Sequence, residues 1–287
     1  MLCSVLIVNW RTPEHLASLL ESLRAYPASG AQEVIVVDND PEYFDVDSFR
    51  QRFPEVMFLP QAANLGFAAG NNVAYASSRG EYLVLLNPDT EVTEGALDSL
   101  IAFLKEHPAA GIVSPQLILP DGSVQDSCRQ FPYPLGILWV ALRLHRMFPK
   151  SRTFGAYRMT YFDHQTTREV DQPMASCWVM PRKVIEEVGF FDEDFPILFN
   201  DVDLAWRVKQ AGWEIWFTAD AQVKHVGAQG TKRAGQRIIR ESHEGLVKFY
   251  RKNFRGKVAA PLLGLGMAIS YGNFWIRTLL AKRCLRG

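Results

Sequence analysis

The segment from Tyr82 to Leu86 is a short, uninterrupted apolar run that ends abruptly at Asn87, Pro88 and Asp89. Such a run, rich in branched side chains, is typical of a central strand covered on both faces. Because proline cannot donate to a sheet ladder, Pro88 ends the pairing, and the two polar side chains are expected at the carboxyl edge, where open α/β sheets bind ligands. All three residues are also ordinary turn formers, so a solvated turn explains these positions equally well when they are taken alone.

Strand and helix patterns alternate through the amino-terminal half of the chain. The first predicted helix has leucines at 16, 19, 20 and 23 on one face and a proline near its first turn, as expected of a helix that covers a sheet. The alternation predicts a mostly parallel sheet flanked by helices, and Asp121-Gly122 predicts a hairpin over 119–125. The predicted strands are 4–9, 33–38, 56–59, 82–86 and 176–180, and the predicted helices are 13–26, 68–78, 94–107 and 182–188.

The segment 131–171 has no clear periodicity and mixes prolines, aromatic residues and basic residues. Within it, 135–148 is interpreted as a helix that packs in the core of an insertion, with an amphipathic helix near lipid as the less favoured alternative.

The length of 287 residues fits one large domain, or one domain with an appendage. Cys3, Cys128, Cys177 and Cys284 are widely scattered, which indicates neither a structural zinc site nor a disulfide scaffold and favours a reducing compartment. The amino terminus lacks a basic leader and a cleavage pattern, and it is expected to be the first strand.

The net charge of zero conceals a strong asymmetry along the chain. Residues 1–223 contain 17 Lys+Arg and 29 Asp+Glu, whereas residues 224–287 contain 14 and 2. The basic end predicts an anionic partner, but it lacks a recognisable nucleic-acid-binding module, so nucleic acid is not expected.

The stretch 258–281 is apolar, contains three glycines, Pro261 and Arg277, and is followed by further basic residues. This composition predicts an anchor at an anionic lipid surface better than a membrane-spanning helix. The alternative is a helix packed on the domain or on a second copy in a homodimer.

Two further segments carry polar residues typical of a nucleotide site. Asp38 closes a predicted strand, where acids commonly bind a ribose or base. The segment 64–72 supplies amides and two glycines at a helix start, which suits a close nucleotide contact or, with equal weight, a simple helix cap. The G-x-G-x-x-G pattern is absent, which disfavours a nicotinamide enzyme.

A third acidic cluster opens a predicted helix that ends near Gly212. Asn200 is expected to cap this helix, and Asp203 to complete a capping box. Asp201 then lies in the first turn, where the helix dipole favours an ionised carboxylate that is ready to accept a proton. It is therefore the candidate general base.

Six of these segments, taken together, resemble the inverting family 2 glycosyltransferases with the GT-A fold, especially bacterial rhamnosyltransferases. They are 4–10, 36–39, 64–72, 86–90, 189–193 and 199–207, and they run in the family's order. Each segment alone is weakly diagnostic, but the ordered set is specific.

The resemblance implies a role for each matching position. Asp201 would be the catalytic base, and Asp89 with His225 would hold Mg²⁺ or Mn²⁺ on the donor diphosphate. The implied donor-binding residues are Asn9, Asp38, Asn64, Gly66, Asn71 and Asn87, and the implied acceptor-binding residues are Cys177, Trp178 and Trp206.

Two positions depart from the family pattern. The family often has Asp where Asn87 stands, which leaves Asp89 as the expected charged ligand. It usually has Glu-Asp where Asn200-Asp201 stands, and capping explains how Asn is tolerated. The implied organisation is a glycosyltransferase domain over 1–227, with a donor-binding half to about 115 and an acceptor-binding half after it, followed by a basic helical region over 228–287.

The expected activity is inverting transfer of a sugar, with dTDP-rhamnose as the first donor to consider, to a saccharide or a polyprenyl-diphosphate-linked acceptor. The protein is expected on the inner face of the cell membrane, in polysaccharide or cell-wall synthesis. A sugar nucleotidyltransferase would need a glycine-rich triphosphate loop near the first strand, which 9–13 does not supply. A non-catalytic nucleotide-binding module is disfavoured because Asp89 and Asp201 are both present.

Overall fold

The computed structural model describes residues 2–40, 42–227, 236–256 and 260–284. Its centre is a nine-stranded sheet with the strand order β3-β2-β1-β4-β10-β6-β11-β5, in which β8 also pairs with β11; β7 and β9 form a separate two-stranded sheet. The strands are β1 (Cys3–Asn9), β2 (Gln32–Asp38), β3 (Val56–Pro60), β4 (Tyr82–Leu86), β5 (Thr90–Val92), β6 (Ala110–Ile118), β7 (Cys128–Arg129), β8 (Arg168–Glu169), β9 (Gln172–Pro173), β10 (Cys177–Pro181) and β11 (Glu214–His225).

The strands β1 to β4 are parallel, and their carboxyl ends lie at one edge of the sheet. Strand β10 enters antiparallel between β4 and β6, while β11 runs parallel to β6 and antiparallel to β5 and β8. The strand prediction for 82–86 matches β4 at both ends, and the mostly parallel sheet flanked by helices is confirmed. The short strands β5, β7, β8 and β9 were not predicted.

Helices cover both faces of the sheet. Successive side chains of β1 alternate between two buried clusters: Leu6 and Val8 face one, and Val5 and Ile7 face the other, as the period of a strand requires. The helices are α1 (Pro13–Ala25), α2 (Val46–Arg52), α3 (Gly66–Ala76), α4 (Ala96–Glu106), α5 (Pro134–Ala141), α6 (Leu144–Met147), α7 (Arg182–Val188), α8 (Asn200–Gln210), α9 (Gln236–Phe249) and α10 (Ala260–Cys284), with a π-helical turn at Tyr250–Phe254.

Two local predictions have different outcomes. The hairpin over 119–125 is confirmed: Leu119 N–H donates to Ser123 O over 2.9 Å, and Gly122 has the positive φ of 81° that the turn requires. The single helix expected over 135–148 is wrong, because Arg143 has a φ of 58° and divides it into α5 and α6.

The described part of the carboxyl-terminal region is helical and packs on the domain. Leu246, Phe249, Tyr250 and Phe254 are buried in the main core cluster, and α10 packs against α5 and α9. Among the helices of the described residues, none is long and apolar enough to cross a membrane. Residues 228–235, 257–259 and 285–287, part of the predicted basic anchor, lie outside the described residues.

Candidate active site

Two buried polar side chains meet where β1 and β2 end. Asn9 and Asp38 are partners in the strand register, and Asn9 Nδ2 donates to Asp38 Oδ1 over 2.8 Å. Thr12 fixes this amide by donating from Oγ1 to Asn9 Oδ1 over 3.0 Å. Asp38 Oδ2 is buried without a partner among the described residues, and burial raises the pKa of this carboxyl. The free oxygen is an acceptor suited to the hydroxyl or amine donors of a nucleoside.

The loop before α3 is tied to the same edge. Asn39 Nδ2 donates to Gly66 O over 2.9 Å, and Gly66 N–H donates to Asn64 Oδ1 over 2.8 Å. Gly66 has a φ of 86°, and a Cβ there would lie 2.9 Å from the carbonyl oxygen of Pro196, so this position requires glycine. Asn71 is buried in α3 with its Oδ1 unpartnered in the described structure. Asn64 is exposed, and its side chain closes the loop.

The segment after β4 is both a turn and part of the edge. Thr90 N–H donates to Asn87 O over 3.1 Å, which closes a β-turn through Pro88 and Asp89. Asn87 Nδ2 lies 3.3 Å from Ser176 Oγ, while its Oδ1 is buried without a partner within the described chain. The turn therefore places an amide oxygen and a nearly buried carboxylate at the carboxyl end of a central strand.

Asp89 faces a histidine supplied by β11. Thr90 pairs with His225 in the strand register, and His225 Nε2 lies 3.5 Å from Asp89 Oδ1. On the other side of the ring, His225 Nδ1 is 2.7 Å from Gln125 Oε1. An amide oxygen only accepts, so Nδ1 donates to it, and Nε2 is the ring nitrogen that can bind a cation once it carries no proton.

These residues fit a divalent cation. A carboxylate and a histidine whose second nitrogen is oriented by a hydrogen bond are usual metal ligands, and Asn87 Oδ1 adds an unpartnered oxygen nearby. No three His, Cys, Asp or Glu side chains are grouped as ligands anywhere in the described ranges. A cation here would thus need oxygen atoms from the donor phosphates or water to complete its coordination.

Asp201 lies in the first turn of α8, as predicted. Its Oδ1 accepts from Val202 N–H over 2.9 Å, and its Oδ2 accepts from Gln172 Nε2 over 2.8 Å. The side chain is partly exposed although it lies deep in the fold. Burial raises the pKa of Asp201 to about 6, while the hydrogen bonds to the carboxylate oppose this rise. Such a carboxylate can take a proton near neutral pH.

The capping prediction at this helix is wrong. Phe199 precedes the helix in a left-handed conformation, with φ at 68°, and Asn200 is the first helical residue. Asn200 Oδ1 accepts from Asp201 N–H over 2.8 Å, and its Nδ2 donates to Phe195 O over 3.1 Å. Its amide thus orients the backbone at Asp201 rather than capping the helix.

Asp203 has a structural role that the sequence interpretation missed. It is fully buried and accepts from Arg207 Nε over 2.9 Å, Lys252 Nζ over 3.0 Å and Asn253 Nδ2 over 2.9 Å. It therefore joins α8 to the π-helical turn. In the 199–207 motif, Asp203 is fully buried, whereas Asp201 is partly exposed and can contact a substrate.

All three of the predicted acceptor residues are buried in the structure. Cys177 and Trp178 are fully buried because β10 is a central strand between β4 and β6, so their side chains cannot contact a saccharide in this conformation. The preceding residue, Ser176, reaches the edge, with its Oγ 3.3 Å from His225 Nε2. Trp206 is also buried, in an aromatic cluster with Phe131, Tyr133, Phe249 and Phe254.

One short segment connects the candidate base to the candidate metal ligands. Gln172 binds Asp201, and Ser176, four residues later, contacts Asn87 and His225. Four residues span at most about 14 Å, so the two contacts of this segment lie within about that distance of each other. Sequence reasoning missed Gln172 and Ser176, which lie in or next to short segments without periodicity.

The family profile described as glycosyl transferase family 2 matches residues 4–189, well over half of the chain. The chain belongs to glycosyltransferase family 2. The matched region contains Asn9, Asp38, Asn87 and Asp89. It ends before Asp201 and His225. Membership supports a transferase and leaves the nucleotidyltransferase alternative without support.

Curated relatives include a rhamnosyltransferase and an O-antigen biosynthesis protein. The N-acetylglucosaminyl-diphospho-decaprenol L-rhamnosyltransferase of Mycobacterium tuberculosis is 29% identical over 269 residues, which is 90% of this chain and 87% of that protein. An O-antigen biosynthesis protein of Myxococcus xanthus is 27% identical over 226 residues, 77% of this chain but 17% of that protein. This family 2 glycosyltransferase thus aligns with the mycobacterial enzyme over nearly the full length of both chains.

A solved structure shares the fold. GalNAc-T7, crystallised with UDP, GalNAc and Mn²⁺, superposes with a TM-score of 0.57 at 13% identity, covering 78% of this chain and 44% of that one. The expected GT-A architecture is therefore confirmed, and at this identity the likeness concerns the fold alone.

Proposed function

We propose that this glycosyltransferase transfers a sugar from a nucleoside diphosphate to a hydroxyl group of a lipid-linked saccharide, with inversion at the anomeric carbon. The observation that carries the proposal is the setting of Asp201. The residue is partly exposed, its carboxylate is oriented by Gln172, and burial raises the pKa of that carboxyl to about 6. A general base works best when its pKa lies near the operating pH.

The donor nucleoside is assigned to the edge formed by β1 and β2. Asp38 Oδ2 is a buried oxygen without a partner in the described structure, and such an oxygen is stabilised when a ligand donates to it. Asn9 holds the carboxyl in place. Hydroxyl groups of the ribose, or an amine of the base, supply donors of the required kind.

The donor diphosphate is assigned to the edge at Asp89. Asp89 and His225 would hold Mg²⁺ or Mn²⁺ there, and the bound cation would neutralise the charge of the leaving diphosphate. Gln125 keeps Nε2 of the histidine free to bind by accepting a hydrogen bond at the other ring nitrogen.

The reaction is a single displacement. Asp201 accepts the proton of the acceptor hydroxyl as that oxygen forms a bond to the anomeric carbon. The bond between the same carbon and the donor phosphate oxygen breaks, and the nucleoside diphosphate leaves with the electron pair. Because the attacking and leaving oxygens occupy opposite faces of the carbon, the configuration inverts.

The relatives support a choice of substrates to test first. The mycobacterial relative is named for transfer of L-rhamnose to a diphospho-decaprenol-linked sugar, which makes dTDP-rhamnose the first donor to test and a polyprenyl-diphosphate-linked saccharide the first acceptor. This assignment places the protein in cell-surface polysaccharide or cell-wall synthesis.

Membrane contact is assigned to α10 together with α5 and α6. These helices adjoin in the fold and expose Leu135, Leu142, Met147, Phe148, Leu262, Leu265, Tyr271, Trp275 and Ile276. Exposed apolar and aromatic side chains beside basic residues suit the surface of an anionic bilayer. This would place the enzyme on the inner face of the cell membrane.

A transfer assay tests the proposal. Nucleotide sugars that stabilise the protein in a thermal-shift screen with Mn²⁺ are offered with a polyprenyl-diphosphate-linked sugar, and the anomeric configuration of the product is read by NMR. Asp201→Asn should reduce turnover by about a hundredfold to ten-thousandfold while donor binding persists. Near-normal turnover in that variant, or a product that retains the donor's configuration, would refute the mechanism.

A further inference from the structure

Two arginines near the strand pair that holds Gln172, Arg129 and Arg158, make no ion pair within the described residues. Arg129, in β7, lies directly opposite Gln172 of β9 in an antiparallel pair, and Gln172 Nε2 donates to Asp201. Opposite residues of such a pair project from the same face with Cβ atoms about 5 Å apart. The side chain of Arg129 therefore begins beside the residue that holds the candidate base.

Arg158 belongs to the same cluster. The backbone bond from Gln130 N–H to Tyr157 O, at 3.1 Å, lays the segment 157–158 along the end of β7. Burial lowers the pKa of Arg129, and the positive charge of Arg158 adds to this effect, whereas Asp126 opposes it. Two guanidinium groups are thus held close together.

Within the described residues neither guanidinium has a carboxylate in ion-pair range. Arg129 donates to the carbonyl of Cys128 over 2.6 Å, and Arg158 has no hydrogen bond or ion pair in this part of the chain. A largely buried cation without a counterion is costly. An anion bound between the two arginines would remove that cost.

The cluster extends to α6 and α5. His145 Nδ1 is buried without a partner among the described atoms, and Arg158 contributes to lowering its pKa, after burial. Tyr157 packs on α5, where a Cβ at Gly136 would lie 3.1 Å from the tyrosine Cβ. The arginines therefore lie between Asp201 and the helices that expose apolar side chains.

We propose that Arg129 and Arg158 bind the diphosphate of a lipid-linked acceptor, with His145 at the rim. This inference rests on the proposed function, in which Asp201 takes a proton from the acceptor sugar. Guanidinium groups bind phosphate oxygens in paired hydrogen bonds, and two of them match the charge of a diphosphate. The acceptor sugar then reaches Asp201, and its lipid chain leaves towards α5 and α6.

The donor diphosphate is the competing source of the same chemistry. Its assigned site is the edge at Asp89 and His225. This edge contacts Ser176, which is the other end of the segment that begins at Gln172. Arg129 lies across from Gln172 itself. The arginines are therefore assigned to the acceptor side of the cleft.

Calorimetry with farnesyl diphosphate as the probe tests this site in the full-length protein. EDTA is included so that no cation can hold the probe at Asp89. Arg158→Gln, an exposed position that can be changed without disturbing the core, should weaken binding at least about tenfold, and Arg129→Lys should weaken it less than Arg129→Gln. Lys150→Gln, an exposed cation of the same insertion, is the matched control and should bind as the unaltered protein does.

A second titration distinguishes the two diphosphates. Binding of dTDP with Mn²⁺ should be the same in the unaltered protein and in Arg158→Gln. Loss of dTDP affinity in that variant would assign the arginines to the donor and overturn the proposal. Farnesyl diphosphate binding that is equal in all of the proteins, or that is no tighter than the binding of farnesol, would also overturn it. Because none of these titrations measures sugar transfer, an inactive protein that still binds the probe through the arginines would refute the proposed function and not this site.

Discussion

Gln172 Nε2 donates a hydrogen bond to Asp201 Oδ2 over 2.8 Å. This contact connects a two-residue strand to the first turn of α8, and it opposes the effect of burial on the carboxyl pKa. It also orients the second oxygen of a group whose first oxygen is held by Val202 N–H. The base is thus positioned by tertiary contact as well as by its helix.

Replacing this amide should change the pH dependence of catalysis. The activity of a base rises as pH passes its pKa, so the acid limb of kcat/KM in the unaltered enzyme should fall near pH 6. Gln172→Ala removes a donor to the ionised form, which raises the pKa of Asp201 and moves the limb up by about one unit. Gln116→Ala, which removes another buried amide bonded elsewhere, should leave the limb in place. A limb that does not move in Gln172→Ala contradicts the role of this bond.

The position of Asp201 could be predicted from the sequence, but its support could not. An acid in the first turn of an amphipathic helix is visible in the local pattern. Gln172 and Gln125 reach the site across 29 and 100 residues from segments with no helical or strand period. Their roles depend on how the chain folds back, which a local pattern does not specify.

The errors have equally local causes. The Asn200 cap failed because Phe199 takes a left-handed conformation and starts the helix one residue earlier than a cap at 200 would require. The acceptor roles of Cys177 and Trp178 were inferred from the family's order of motifs, whereas β10 lies at the centre of the sheet with both faces covered.

Gln125 should control metal affinity without touching the metal. It accepts from Nδ1 of His225, and loss of such a contact typically reduces metal affinity by 10- to 100-fold, as an order of magnitude. Gln125→Ala is therefore expected to require about that much more Mn²⁺ for donor binding, measured by calorimetry over a Mn²⁺ series. Asp121→Asn, on the exposed turn of the neighbouring hairpin, is the control. Equal Mn²⁺ requirements in the two variants would remove His225 from the metal site.

Asp203 should matter for stability and not for the proton transfer. Asp203→Asn takes the negative charge from a buried cluster, which leaves Arg207 without its counterion and Lys252 with Asp192 alone. We expect this to cost about 3 kcal/mol in the free energy of unfolding. The estimate is at the low end of the range for broken buried pairs because Lys252 is partly exposed and can turn to water. Urea unfolding measures the loss. The control Asp194→Asn changes an exposed residue, and its free energy of unfolding should lie within about 0.5 kcal/mol of that of the unaltered protein. If the acid limb of kcat/KM is unchanged in Asp203→Asn, the role of Asp203 is separate from that of Asp201.

Trp275 tests the assignment of the membrane surface. Its indole is 61% exposed on α10, so Trp275→Ser removes an interfacial anchor with little loss of packing. Sedimentation with vesicles of phosphatidylglycerol and phosphatidylcholine should show binding weakened by about three- to tenfold. Tyr26→Ser, an exposed aromatic side chain following α1, is the matched control and should not change sedimentation.

The basic residues add an electrostatic attraction that salt screens, so binding of the unaltered protein should fall as salt rises. Equal sedimentation of both variants, or equal binding to vesicles of phosphatidylcholine alone, would exclude this surface as the lipid contact.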